Sequence, residues 1–229
     1  YLNWLPKSAG NVGLPMPGHE IKLIPNEDKL EIRMRGPNIT TGYYKQDDLT
    51  QKAFDEENFF CIGDAGKFED EDDPSKGIVF DGRVAENFKL LSGTWVHTGH
   101  LRLQAIAAAS PVIQDAVVTG QDRDDVGLLV FLSVTGSQSV AGGNAELDKI
   151  VSSAPVHDHI RKCLGFHNTE NPGSSTRIRR VLLMTEPPQI DAGEITDKGY
   201  INQRAVLARR AELVERLYTG DGDDIIVTD

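Results

Sequence analysis

Phe80-Asp81-Gly82-Arg83-Val84-Ala85-Glu86-Asn87-Phe88-Lys89-Leu90-Leu91-Ser92-Gly93-Thr94-Trp95-Val96 divides the chain into two kinds of sequence. Before it lie short apolar runs punctuated by turn residues. After it, helical and strand patterns alternate. Within it the apolar run Ile78-Val79-Phe80 ends at Gly82-Arg83, and a short polar link follows. Phe88 to Leu91 and Trp95 to His97 flank Ser92-Gly93-Thr94, a tight-turn tripeptide. The stretch therefore predicts a β-hairpin behind a hinge, marked by a glycine, few large apolar side chains and a change of architecture on either side.

Upstream, Glu20 to Ile24 and Lys29 to Arg35 alternate polar and apolar residues around Pro25-Asn26-Glu27-Asp28, which predicts a hairpin with one buried face. Asp47 or Asp48 can cap a short helix lined by Leu49, Ala53 and Phe54. Phe59 to Ile62 reads as a strand, Gly63-Asp64-Ala65-Gly66 as a turn, and Ile78 to Phe80 as a further strand. Downstream, residues 101–109 read as a helix with Leu101, Leu103, Ile106 and Ala107 apolar. Residues 112–118 and 126–134 read as strands joined by Gln121-Asp122-Arg123-Asp124-Asp125. A Gly/Ser-rich break at 136–143 precedes a helix over 144–164, interrupted at Pro155. A strand over 177–184 follows, then a last helix over 201–218. In that helix Val206, Leu207, Leu213, Val214, Leu217 and Tyr218 form a stripe, with Glu212 and Arg216 outward as an i,i+4 pair. Strands interleaved with helices make a small α+β domain.

The chain has 229 residues and a net charge of −11, from 24 basic and 35 acidic side chains. That excess argues against a nucleic-acid backbone or an anionic membrane as partner. Much of it sits in Glu69-Asp70-Glu71-Asp72-Asp73 and Asp221-Gly222-Asp223-Asp224, which read as solvated segments. Neither has the spaced oxygen ligands and central glycine of a calcium loop. The two cysteines, Cys61 and Cys163, read as packed thiols of a reducing compartment. No stretch is long enough to span a membrane, and the first residues lack the form of a signal peptide, so a cytoplasmic protein is expected. His157-Asp158-His159 offers two ligands on different helix faces, and no metal site is expected.

A strand ending in Gly82-Arg83, an acidic link, Lys89 and a hairpin tipped by Gly93 resemble the hinge of the adenylate-forming (ANL) superfamily. Its members include acyl- and aryl-CoA synthetases and the adenylation domains of peptide synthetases. Gly36-Pro37-Asn38-Ile39-Thr40-Thr41-Gly42-Tyr43-Tyr44-Lys45 and Phe60-Cys61-Ile62-Gly63-Asp64 are similar to two further motifs of that family, in the same order. Residues 193–204, Gly-Glu-Ile-Thr-Asp-Lys-Gly-Tyr-Ile-Asn-Gln-Arg, sit where the family carries its catalytic-lysine segment. With Thr94-Trp95-Val96, that segment looks most like the feruloyl-CoA synthetase group. The resemblance runs over roughly residues 13–218.

The resemblance implies roles for particular residues. Asp64, which alone would read as a turn residue, becomes the carboxylate that accepts two hydrogen bonds from the vicinal hydroxyls of the ATP ribose. Arg83 becomes a nucleotide contact, whose fixed fork of donors suits ribose or phosphate. Val84, Ala85 and Glu86 form the pivot region, where the family commonly has Asp or Lys. Lys89 and Gly93 belong to the hairpin that faces the thioester step. Glycine at 93 would let a pantetheine thiol approach closely, or serve a turn with positive φ. Trp95 stands where many relatives carry a basic residue. Lys198 becomes the adenylation lysine, stabilising charge as pyrophosphate leaves, while Glu194 occupies the lysine position of the family's usual Gly-Lys.

The implied fold is α+β. Residues 1–82 would be a strand-rich remnant of the large-domain β-barrel. Residues 83–229 would be a small mobile C-terminal domain, a hairpin and a sheet flanked by helices, with a hinge at about 84–87. The family's phosphate-binding loop, Thr-Glu motif and acyl pocket would lie in an N-terminal domain in cis. The expected activity is that of an AMP-forming acid–CoA ligase using ATP, coenzyme A and Mg2+ (held mainly by the missing part) on a carboxylic acid such as ferulate, with the fragment alone inactive. Two alternatives stand beside it: a non-catalytic interaction module, and an adenylation domain that delivers to a carrier protein.

Overall fold

The computed structural model describes residues 10–26, 29–143, 146–220 and 224–228. The turn at Glu27-Asp28, the start of the helix expected from residue 144 and most of the acidic tail at 221–224 lie outside them. The chain divides into two compact units between Ala85 and Glu86.

In the N-terminal unit, β1 (Asn11–Gly13), β2 (Glu20–Asn26), β3 (Lys29–Arg35), β4 (Phe60–Phe68) and β5 (Ile78–Arg83) form an antiparallel sheet in the order β1-β5-β4-β3-β2. The period-2 patterning of β2 and β3 produces the expected hairpin, from Glu20 opposite Arg35 to Asn26 opposite Lys29. Gly66 is buried where an added Cβ would meet Ile32 Cδ1 at 2.7 Å and Ile78 Cγ2 at 2.9 Å. Asp55 ties the sheet's rim together: it pairs with Lys22 at 2.8 Å and Arg33 at 3.1 Å, and accepts from the amides of Glu57 and Phe59. Burial alone would raise its pKa, but these bonds hold it well below the usual carboxylate range. Lys22 and Arg35 also cover the buried ring of Phe59, at 4.3 and 4.4 Å from its centre.

Two expectations fail in this unit. Helix α1 (Asp47–Ala53) is capped by neither aspartate: Gln46 stands at the N-cap, Leu49 is exposed, and the helix buries no residue. The Gly63–Gly66 turn is instead the interior of the nine-residue strand β4. A turn tetrapeptide and a bulged strand both ask for a glycine with positive φ, so sequence could not separate them.

In the C-terminal unit, β6 (Phe88–Lys89) and β7 (Trp95–Val96) pair as the expected hairpin, Phe88 opposite Val96. Helix α2 (Thr98–Ala108) follows, then β8 (Ile113–Thr119) and β9 (Val126–Leu132). Three helices cross over, α3 (Val134–Ala141), α4 (Leu147–Val151) and α5 (Ala154–Glu170), before β10 (Ile178–Met184). Helices α6 (Gln203–Arg209) and α7 (Ala211–Thr219) and strand β11 (Ile225–Val227) complete the unit. Its sheet has the order β11-β10-β9-β8, with β9 and β10 parallel and the other pairs antiparallel.

Every residue of β9 is buried because helices cover both faces of the sheet. Val118, Leu128, Val130, Val181 and Leu183 point to the side of α2 and α5; Val117, Leu129, Phe131, Leu182 and Met184 pack with Val206 and Leu217 of α6 and α7. Each such side chain contributes about 1.5–3 kcal/mol by leaving water.

The Gly/Ser-rich break is in fact helix α3. Ser133 caps it by accepting from the amide of Gly136, and Gly142 ends it at φ +78°. Gly136 is required by contact, since a Cβ there would lie 1.9 Å from the Pro111 carbonyl oxygen. Pro155 stands in the first turn of α5, where proline is tolerated, and so separates α4 from a longer helix. On α2, Leu101 and Ala105 are buried while Leu103 and Ala107 are exposed, and the buried stripe continues to Ala109 at the C-cap. The last helix is two helices broken at Arg210, and Arg216 bonds Asp224 of the tail, not Glu212. Strand β11 was not expected from so short an apolar run.

Candidate functional site

Asp64 owes its setting to a local excess of residues in β4. Opposite Glu31 and Arg33 of β3 stand Ala65 and Cys61, so β4 carries two extra residues there. On its other edge Asp64 and Gly66 face Arg83 and Phe80, a shift of one in β5. Gly63 at φ +72° and Gly82 at φ +84° accommodate these irregularities. Bulges bend a strand and re-aim its side chains. Here they bring Asp64 and Arg83 together at 3.3 Å, with side-chain exposures of 29 % and 55 %. The pair is thus formed at a long distance and is partly exposed on the arginine side, while the Asp64 Oδ1 that faces it is shielded from water. The motif at 36–45 forms a loop against α1, in which the Tyr43 amide and the Gln46 carbonyl both bond the Thr50 hydroxyl. Part of it lines an open groove of about 710 Å³ with Arg35, Thr50 and Asn58, and neither Asp64 nor Arg83 is among the lining residues.

Val84, Ala85 and Glu86 form one 3-10 turn, and the two units divide within it. Beyond it, Gly93 sits at φ +82° in the hairpin turn, its amide donating 2.8 Å to the Leu90 carbonyl. A Cβ at Gly93 would meet nothing within 4 Å, so backbone conformation is the reason for glycine that this chain itself supplies. Lys89 is exposed, its ammonium 4.6 Å from the centre of the Trp95 ring. The hairpin is fastened to the β8–β9 loop by the bonds Asp122 N to Lys89 O (3.0 Å) and Leu91 N to Arg123 O (2.8 Å).

Lys198 lies at the tip of a small turn. Ile195 and Ile201 form a bridge, the Thr196 amide bonds the Tyr200 carbonyl at 2.8 Å, and Gly199 takes φ +81°. Lys198 is exposed. Glu194, four residues earlier, is fully buried and meets Arg210 through two bonds of 2.7 Å. Arg210 beside it, together with the Gln189 amide at 2.8 Å, overcomes desolvation and lowers its carboxyl from 4.5 to about 2. Sequence reasoning passed over this partner. It passed over Gln203 too, whose amide accepts from Val118 N at 3.1 Å and donates to Val118 O at 3.0 Å, mimicking one more strand residue on the free edge of β8. A buried carboxylate sixteen residues before an arginine has no periodic signal.

His157 bonds the Val151 carbonyl, and His159 lies 3.7 Å from Cys163. Among the described residues no group of three or more metal-binding side chains gathers, and no helix is long and apolar enough to cross a membrane.

The sequence model of the AMP-binding enzyme C-terminal domain matches residues 90–222. The chain belongs to this family. The matched AMP-binding C-terminal domain takes in the hairpin turn and β7, strands β8 to β10 with their helices, and the Lys198 turn, while β6 and β11 fall outside it. The chain is 28 % identical over 224 residues to a chloroplastic long-chain-fatty-acid–[acyl-carrier-protein] ligase of Arabidopsis thaliana, covering 92 % of this chain and 29 % of that protein. It is 34 % identical over 182 residues to the human long-chain-fatty-acid–CoA ligase 6, covering 71 % of this chain and 25 % of that one. It thus spans less than a third of these curated relatives. Among solved structures it resembles the A domain of a carboxylic acid reductase from Segniliparus rugosus, in complex with AMP and a co-purified carboxylic acid. That match has a TM-score of 0.66 at 22 % identity, and covers 87 % of this chain and 31 % of that one. An anthranilate CoA ligase in complex with anthranoyl-AMP matches with a TM-score of 0.62 at 20 % identity, covering 91 % and 36 %. The structural likenesses show a mixed α+β fold shared with adenylation domains, and the curated relatives include acyl-CoA and acyl-carrier-protein ligases.

Proposed function

We propose that the chain is the C-terminal part of an ATP-dependent, AMP-forming acid–CoA ligase that makes an acyl-adenylate and then a CoA thioester. The observation that carries this reading is the family match over residues 90–222, which takes in the turn at Gly93 and the Lys198 turn. In the first half-reaction Asp64 and Arg83 hold the ribose, and Lys198 neutralises charge developing on the phosphates as the carboxylate attacks and pyrophosphate departs. In the second, the C-terminal domain swivels about residues 84–86, and the hairpin at Lys89 and Gly93 serves the approach of the CoA thiol. Mg2+ travels with ATP and is held mainly by the N-terminal domain that also supplies the phosphate loop and acyl pocket. The substrate is a hydroxycinnamate such as ferulate, on the likeness of residues 193–204 to the feruloyl-CoA synthetase group, and the enzyme works in the cytoplasm.

The name of the Arabidopsis relative supports a second reading, in which the acyl group passes to an acyl carrier protein instead of CoA. The test is a thioester assay of the full-length protein with ATP, offering CoA or a phosphopantetheinylated carrier protein as acceptor, across aryl and aliphatic acids. Ferulate-dependent feruloyl-CoA, lost in Lys198→Ala and weakened in Asp64→Ala, is expected. Transfer only to the carrier protein establishes the second reading, and absence of acid-dependent pyrophosphate release removes both. The 229-residue chain alone is expected to release no pyrophosphate with ATP and ferulate.

A further inference from the structure

The turn that carries Lys198 has little to hold it in place. Residues 191–193 and 197–200 are exposed, and Ile195 and Ile201 are only half-buried. Its internal bonds are the Thr196–Tyr200 and Gly199–Thr196 backbone contacts and a bond from the Tyr200 amide to the Thr196 hydroxyl. Such a turn, left to itself, would sample many orientations.

At its base the packing is of another kind. Arg210, in the break between α6 and α7, is 6 % exposed and spends its planar fork on one loop. Its Nε and Nη2 donate to the two carboxylate oxygens of Glu194 at 2.7 Å, Nη2 also to the Pro187 carbonyl at 3.0 Å, and Nη1 to the Glu186 carbonyl at 3.1 Å. Glu194 returns the connection through its backbone: its amide bonds the Gln189 carbonyl at 3.0 Å, and its carbonyl accepts from Asn202 at 2.9 Å. Arg209 approaches the same carboxylate at 3.5 Å, and the Arg210 guanidinium lies 5.2 Å from the centre of the Phe131 ring in the sheet. Both ends of the turn, 194 and 202, are therefore referred to one rigid fork that rests on β9.

We propose that the Glu194–Arg210 pair is the positioning device of the Lys198 turn, fixing its direction relative to the sheet so that the lysine arrives in register at the phosphates. The proposal rests on the assignment of Lys198 to adenylation. An apolar pair of the same volume could supply as much stability, since a buried ion pair gives little net free energy over a hydrophobic one. It could not supply two parallel bonds of fixed angle, and that directionality is what the bidentate contact adds. A displacement of about 1 Å at a reacting centre costs on the order of 100-fold in rate.

The experiment compares Glu194→Gln, Arg210→Lys and Lys198→Ala in the full-length enzyme. Three readouts are taken: ferulate-dependent pyrophosphate release, conversion of supplied feruloyl-adenylate and CoA to thioester, and hydrogen exchange of the 195–201 amides. Glu194→Gln and Arg210→Lys are expected to lower pyrophosphate release about 10- to 100-fold. Thioester formation from the adenylate should stay within about threefold, and exchange should quicken at 195–201 in both variants. Equal loss of both half-reactions, unchanged exchange at 195–201, or unfolding of both variants overturns the proposal. If only one variant fails to fold, the other decides. Should Lys198→Ala leave pyrophosphate release intact, the assignment of the lysine fails, while the exchange data still report whether the pair holds the turn.

Discussion

Two carboxylate–arginine pairs of the same chemistry stand in the two units of this chain, and they differ in nearly everything else. Asp64 and Arg83 meet at 3.3 Å across a bulged strand pair, with 29 % and 55 % of their side chains exposed. Glu194 and Arg210 meet at 2.7 Å, with 0 % and 5 % exposed. The first keeps part of its hydration, mostly on the arginine, and in the proposed function it exchanges its partner for a ligand. The second has lost its water and must keep its partner, because either charge left alone in the interior would be far costlier than the pair. Residue type therefore says little about duty here; burial decides whether a pair is available to a ligand or is part of the scaffold.

Glu194→Ala should be the most damaging change to that contrast. It leaves Arg210 charged and buried, so chemical denaturation should show a loss of about 3–5 kcal/mol in the C-terminal unit. A loss below about 1 kcal/mol would mean that Arg210 finds water, and the contrast would dissolve. Acid titration sharpens the same point. The folded carboxyl of Glu194 lies at about 2, against an ordinary 4.5. Its contribution, about 3 kcal/mol, is complete above roughly pH 5 and is lost as pH falls toward 2. Denaturation midpoints followed from pH 6 to 2 should fall more steeply for the native chain than for Glu194→Gln.

Asp64→Ala should show the opposite profile. AMP affinity of the full-length enzyme, measured calorimetrically, should fall about 10- to 100-fold with loss of charge-assisted bonds. Stability should change by no more than about 0.5 kcal/mol. Equal AMP affinity would return Asp64 to a purely structural place in the bulge. The smallest effect belongs to Arg216→Ala. Its ion pair with Asp224 is exposed, and its removal should cost at most about 1 kcal/mol in thermal denaturation.

Much of this arrangement is written in local pattern. The alternation in 20–35 produces the β2–β3 hairpin, Ser92-Gly93-Thr94 produces the turn between β6 and β7, and the repeat of Val156, Ile160 and Leu164 produces the buried face of α5. These are interactions between near neighbours in the chain, so spacing reveals them. The segments around Asp64, Arg83, Lys89, Gly93 and Lys198 stood out through resemblance to a family's motifs, not through spacing, and the roles that the resemblance implies remain proposals.

Tertiary contact decided the rest. Gly63 and Asp64 became a bulge because β3 and β5 lay on either side to receive them. The Gly/Ser-rich stretch from 136 falls largely within helix α3, where Gly136 passes against the Pro111 carbonyl with no room for a Cβ. The helical stripe after Ile201 was broken at Arg210, whose guanidinium is committed to Glu194 and to carbonyls 186 and 187. Periodicity fixes which face of an element is apolar; it carries no record of which distant charge or backbone group that face will meet. The desolvation of Glu194 and Arg210, unlike the spacing of a helix stripe, exists only once the sheet and its helices have closed around them.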